Sequence, residues 1–212
     1  MNDFDSVLKA CERAFPDTIS RLSDLVRIPS CAFPGYETST LERSAEEVSG
    51  WFAAIGMPEV EILRIPDCPP AVLARDHRAG PGRPSILLYA HHDVQPPMRE
   101  SLWITPPYEP VVRDGRLYGR GAADDKAGIA LHAASIAAWY ETVGALPVNV
   151  TVLVEGEEET GSDHLTELLD GKLPGLEADC VIIADSTNLD TGLPCITVSL
   201  RGLVALEVEL RG

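Results

Sequence analysis

The sequence predicts an α/β fold: a mainly parallel sheet flanked by helices, carrying its chemistry at the C-terminal ends of its strands. Three observations lead there. Apolar runs of strand length alternate with amphipathic runs of helix length. The runs at 85–90, 148–154 and 181–184 are near-continuously apolar, as strands buried on both faces are. Each stops at groups able to bind metal: His91-His92-Asp93, then Glu155 to Glu159, then Asp185.

Taken in order, residues 5–27 read as a helix with Leu8, Phe15, Ile19, Leu22, Leu25 and Val26 at helical spacing, and Pro16 is expected to break or kink it. Residues 39–55 form a second amphipathic helix, closed by Gly56. Val60–Ile65 and Ala71–Ala74 read as strands, followed by the turn at 79–82 and the strand at 85–90. A proline-rich loop spans 96–110, and Asp114-Gly115 is a tight turn between two short strands. Residues 124–143 are apolar nearly all round and predict a buried helix. A strand at 148–154, a short helix at 162–169 and a strand at 181–184 follow, then two more strands at 196–200 and 204–210.

Composition narrows the function. The chain has 212 residues, 45% of them apolar, enough for a substantial core. Its net charge of −16 excludes the basic surface that nucleic acid requires. No apolar stretch approaches the ~20 residues that span a bilayer. The acidic start, Met1 to Asp5, is unlike a signal peptide, so a cytoplasmic location is expected. The five cysteines are widely spaced without a CxxC, which fits free thiols in a reducing compartment.

The chemistry concentrates in four places. At the first strand end, alternation puts His91 and Asp93 on one face and His92 on the other, so Asp93 can orient His91. Gly119-Arg120-Gly121-Ala122-Ala123-Asp124-Asp125-Lys126 opens the helix at 124; Asp124 there reads equally as its N-cap or first-turn acid. Adjacent carboxylates at Glu157-Glu158-Glu159 repel one another at a buried strand end unless a cation offsets them. Asp185, alone, reads as a turn residue. Together these supply one imidazole and three carboxylates, a set suited to zinc, or to manganese as a harder alternative, with two ions ~3.5–4 Å apart accounting for so many acids.

Three stretches carry a resemblance: Tyr89-Ala90-His91-His92-Asp93-Val94-Gln95-Pro96, Leu117 to Lys126, and Glu155 to Ser162. In wording, order and spacing the chain resembles the dinuclear zinc metallopeptidases that include aminoacylase, succinyl-diaminopimelate desuccinylase, glutamate carboxypeptidase and carnosinase-type dipeptidases. The Asp-Val-Gln-Pro wording and the loop from Trp103 to Pro110 look most like the dipeptidase branch. The resemblance implies hydrolysis of a peptide or amide bond in a small peptide or N-acyl amino acid. His91 and Asp185 would hold one metal, Asp124 would bridge, and Glu159 would hold the second. Glu158 would be the general base and Asp93 would orient His91. Two zinc ions are implied, with manganese or cobalt possible.

The family also has a further histidine ligand and a lid histidine that find no counterpart here, since His77, His132 and His164 match neither motif. Residues 1–199 are therefore expected to be the N-terminal part of the catalytic domain. Residues 200–212 would be the first strand of a lid and dimerisation domain through which the full-length protein would pair with a second copy. The isolated chain is expected to be weakly active or inactive. Two other readings stand beside this one: a non-catalytic metal-binding or interaction domain keeping the fold, and a phosphate-binding domain using Gly119–Gly121, which the neighbouring acids disfavour.

Overall fold

A computed structural model describes residues 3–172, 176–204 and 206–210. Two helices lead the chain, α1 (Asp3–Val26) and α2 (Ser39–Ala54). Helix α1 runs unbroken through Pro16. The proline removes one backbone donor, but Pro16 and Glu12, whose carbonyl loses its partner, are both exposed, so water can supply that bond. Of the residues at helical spacing, Leu22, Leu25 and Val26 are buried with Val7 and Ala10, while Leu8 and Phe15 stay exposed.

Five strands build the main sheet: β1 (Glu59–Leu63), β2 (Ala71–Asp76), β3 (Ser85–His91), β6 (Asn149–Glu155) and β7 (Cys180–Ile183), in the order β1-β2-β6-β3-β7. The pairings β6–β3 and β3–β7 are parallel, whereas β1–β2 and β2–β6 are antiparallel. The sheet is thus mixed, with four strands running one way and β2 against them. Between β3 and β6 lie a separate hairpin, β4 (Val111–Arg113) with β5 (Arg116–Tyr118), and helix α3 (Lys126–Val143). Asp114 and Gly115 form the hairpin turn as expected, both at positive φ (51° and 73°).

One face of the sheet packs Val72, Leu88, Val152 and Val154 against Phe52 of α2 and Ile129 of α3. The other packs Leu63, Leu73 and Leu153 against Leu168 of the short helix α4 (Leu165–Lys172), which starts three residues later than predicted. Helix α3 starts two residues late, because Asp125 rather than Asp124 is its N-cap: the Asp125 carboxylate accepts the Gly128 N–H at 3.1 Å. Nor is it buried all round, since Leu131 is 58% exposed.

Two expectations fail for a common reason. Strand β7 is apolar but open, with Val181 and Ile183 more than half exposed. It is the last strand of the sheet, and α2 and α3 pack on β1, β2 and β3 instead. The runs 196–200 and 204–210 form no strand among the described residues (Ala205 lies outside them). They alternate like strands, but among the described residues they join neither sheet. Among the described residues no helix is long and apolar enough to cross a membrane.

Candidate functional site

Sheet register gathers the site. In β3, His91 lies opposite Glu155 of β6, and Tyr89 lies opposite Ile183 of β7. The residues that follow these strands therefore leave the sheet together, at its C-terminal edge.

His91 is fully buried. Its Nδ1 meets two acceptors, the Asp93 carbonyl oxygen at 3.1 Å and Asp93 Oδ1 at 3.2 Å, so Nδ1 carries the ring proton. Nε2 faces Asp124 Oδ1 at 3.1 Å, Glu158 Oε2 at 3.7 Å and Asp185 Oδ2 at 3.9 Å. A neutral ring so held aims a lone pair at three carboxylates, which only a proton or a cation between them reconciles. Burial alone pulls the imidazole down, but the hydrogen bond and charge of Asp93, with Asp125 and Glu158, outweigh it and push His91 up to about 10. Burial likewise pushes Asp125 up to about 7 and raises Glu158, Glu159 and Asp185. A divalent cation would relieve all of these at once.

The ligand atoms of His91, Asp124 and Glu159 lie within 4.8 Å of one another, and so do those of His91, Asp125 and Asp185. Two overlapping sets that share one imidazole fit a divalent cation in the chemistry of their donors. All six predicted residues (His91, Asp93, Asp124, Glu158, Glu159 and Asp185) are at this one place.

The supports explain why. Asp93 is fully buried, and its carboxylate accepts the N–H of Glu158 at 3.2 Å and of Glu159 at 3.0 Å. Glu158–Thr160 is a 3-10 turn, and these two bonds direct the paired glutamates. His92 points away as predicted, its Nε2 2.8 Å from the Pro70 carbonyl oxygen. That approach requires Gly156: a Cβ there would lie 2.7 Å from Pro70 O and 2.8 Å from His92 Nε2.

Sequence reasoning missed two residues. Asp125 accepts the His91 backbone N–H at 3.3 Å besides capping α3. Gln95 holds Glu159, donating its backbone N–H to Oε1 at 3.2 Å and its amide to Oε2 at 2.8 Å. Gln95 lies in the stretch 89–96 and Asp125 in 117–126, and their nearness in sequence to Asp93 and Asp124 is the signal that marks them. The other histidines are engaged elsewhere: His77 with Thr151 Oγ1, His132 with the Tyr89 carbonyl, and His164 with Glu157. The chain thus brings one imidazole to the centre.

A profile of Peptidase family M20/M25/M40 matches residues 87–211. The chain belongs to this peptidase family. Among curated relatives, the Cys-Gly metallodipeptidase dug1 of Schizosaccharomyces pombe is 31% identical over 220 residues, covering 98% of this chain and 46% of its own length. The Beta-Ala-His dipeptidase of Rattus norvegicus is 36% identical over 159 residues, covering 73% of this chain and 31% of its own. Among solved structures, the di-peptidase Dug1p of Saccharomyces cerevisiae superposes with a TM-score of 0.77 at 28% identity, covering 87% of this chain and 41% of that one. Human carnosine dipeptidase 1 gives 0.78 at 26%, covering 88% and 42%. The fold is the α/β fold of these peptidases, and the chain spans less than half the length of the relatives it matches.

Proposed function

We propose that the chain supplies most of the catalytic centre of a metal-dependent peptidase that hydrolyses the peptide or amide bond of a dipeptide or N-acyl amino acid. The observation that carries this reading is His91 Nε2 facing Asp124, Glu158 and Asp185 within 3.9 Å. His91 and Asp185 would hold one zinc ion, Glu159 a second, and Asp124 both, with manganese or cobalt as alternatives. When bound, two such cations lower the pKa of a shared water and polarise the substrate carbonyl. The side chains do the rest. Asp93 fixes the His91 tautomer and the turn that carries the glutamates. Glu158, raised by burial and 36% exposed, takes the water proton on its carboxylate and returns it to the leaving amine.

Residues 1–199 would belong to the catalytic domain. With one imidazole at the centre and no oxyanion donor assigned, turnover by these 212 residues alone is expected to be weak, since one such donor is worth ~10²–10³ in rate. The single imidazole also favours a second reading, a metal-binding domain without turnover.

Zinc content and dipeptide hydrolysis, measured on the chain and on Glu158→Gln, separate the two. Slow, zinc-dependent hydrolysis that disappears in Glu158→Gln at unchanged zinc content supports the peptidase. Zinc bound with no hydrolysis in either supports the second reading. Zinc uptake indifferent to His91→Ala removes both.

A further inference from the structure

Outside the His91 centre, a second group of metal-ligating side chains closes around a small cavity. Cys68 comes from the β1–β2 connection, Glu157 from the turn after β6, and His164 from the residue before α4. Their ligand atoms lie within 4.8 Å of one another. The cavity they line is about 10 Å³, room for one water-sized or ion-sized guest. His164 Nδ1 lies 3.0 Å from Glu157 Oε2, and the His164 backbone N–H donates to Oε1 at 2.7 Å. Glu155 borders the same cavity; it is 2% exposed, and its Oε2 has no hydrogen-bond partner among the described residues.

We propose that Cys68, Glu157 and His164 form a separate divalent-metal site, suited to zinc or cobalt, that fastens the turn carrying Glu158 and Glu159 to the β1–β2 connection and to the start of α4. The donor set decides the class of metal. A thiolate, an imidazole and a carboxylate form a borderline-soft set that zinc prefers, unlike the carboxylate-rich centre at His91. In tetrahedral coordination, neighbouring ligand atoms lie roughly 3.3–3.6 Å apart. The three ligand atoms lie within 4.8 Å of one another, with His164 Nδ1 and Glu157 Oε2 3.0 Å apart. Charge points the same way. Three acidic groups, Glu157, Glu155 and Glu167, act on Cys68. The cation-forming group beside Glu157 is His164. A bound cation would offset this accumulation of acid groups and give the unpartnered Glu155 oxygen a favourable neighbour.

The site would act on the reaction only by position. Glu157 precedes Glu158 directly, so anchoring its carboxylate limits how far the 3-10 turn can shift. This is independent of whether the His91 centre is catalytic.

Cobalt(II) tests it, because a thiolate ligand adds a sulfur-to-cobalt charge-transfer band that nitrogen and oxygen ligands do not. The purified chain is titrated with cobalt alone, alongside His91→Ala, Cys68→Ser and Glu157→Gln. The expected result is a saturable thiolate band with the intensity of one thiolate-bound cobalt per chain, retained in His91→Ala, absent in Cys68→Ser and requiring at least about tenfold more cobalt in Glu157→Gln. Circular dichroism checks that each variant folds; if Cys68→Ser does not, Glu157→Gln decides. The proposal is overturned by the absence of a thiolate band in the parent chain. A band that persists in folded Cys68→Ser, or that is unchanged in Glu157→Gln, overturns it equally.

Discussion

The carboxylate of Asp93 accepts the backbone N–H of Glu159 at 3.0 Å, joining two residues 66 positions apart. The same carboxylate faces His91 Nδ1, so one buried group sets both the imidazole and the glutamate turn. Asp93→Asn keeps the size but loses the charge and one acceptor. Metal affinity should fall about 10–100-fold, as it does when a partner behind a ligand is lost. Competition with a chromophoric chelator measures this, and an unchanged affinity would show that Asp93 is dispensable.

Asp125 serves α3 and β3 together. Asp125→Ala should destabilise the fold by about 1 kcal/mol through the lost N-cap, whereas Asp125→Asn should recover most of that, since asparagine caps as well as aspartate. Urea denaturation of the metal-free protein separates the two variants. Equal losses would mean that charge, not capping, is what matters there.

Gly156 leaves no room for a methyl group between Pro70 and His92. Gly156→Ala should cost about 1–3 kcal/mol as strand end and imidazole are pushed apart. A midpoint of urea unfolding equal to the wild type would show that the contact relaxes freely.

Asp76 gives the fold an acid-side pH dependence. It is 2% exposed and accepts from Arg78 Nε at 2.9 Å, Arg78 Nη2 at 2.7 Å and Tyr140 Oη at 2.6 Å. The Arg78 hydrogen bonds hold its carboxyl well below the usual carboxylate range, outweighing burial. A depressed folded-state pKa stabilises the fold above the unfolded value of about 3.9 and loses that contribution as pH falls. Asp76→Asn should therefore cost about 1–2 kcal/mol at neutral pH, the Arg78 side being solvent-screened, and progressively less below about pH 4. A difference independent of pH would remove this account.

The strand ends were legible because a buried strand must be apolar along its length and a site at its end must be polar. That contrast is local, and it pointed to His91, Glu158 and Asp185, which the structure brings to one place. Which strands would be covered is not local. Val181-Ile182-Ile183 reads as interior, yet it lies on an open edge, because helix placement depends on the whole sheet. Residues 196–200 alternate like a strand, but pairing requires a neighbour that no pattern within the run can supply. The N-cap moved from Asp124 to Asp125 for a similar reason: both are acids, and only the path of the backbone decides which one reaches Gly128.

Lys126 is fully buried, and its Nζ donates to the carbonyls of Leu25 at 3.0 Å and Ile28 at 2.7 Å. Those carbonyls belong to the end of α1 and the segment just after it, while Lys126 directly follows Asp124-Asp125. One ammonium group thus latches the N-terminal helix to the loop that brings acids to His91. Trimming that helix would take an acceptor from a buried amine beside the loop that brings acids to His91, so the N-terminal helix is a structural component of the centre.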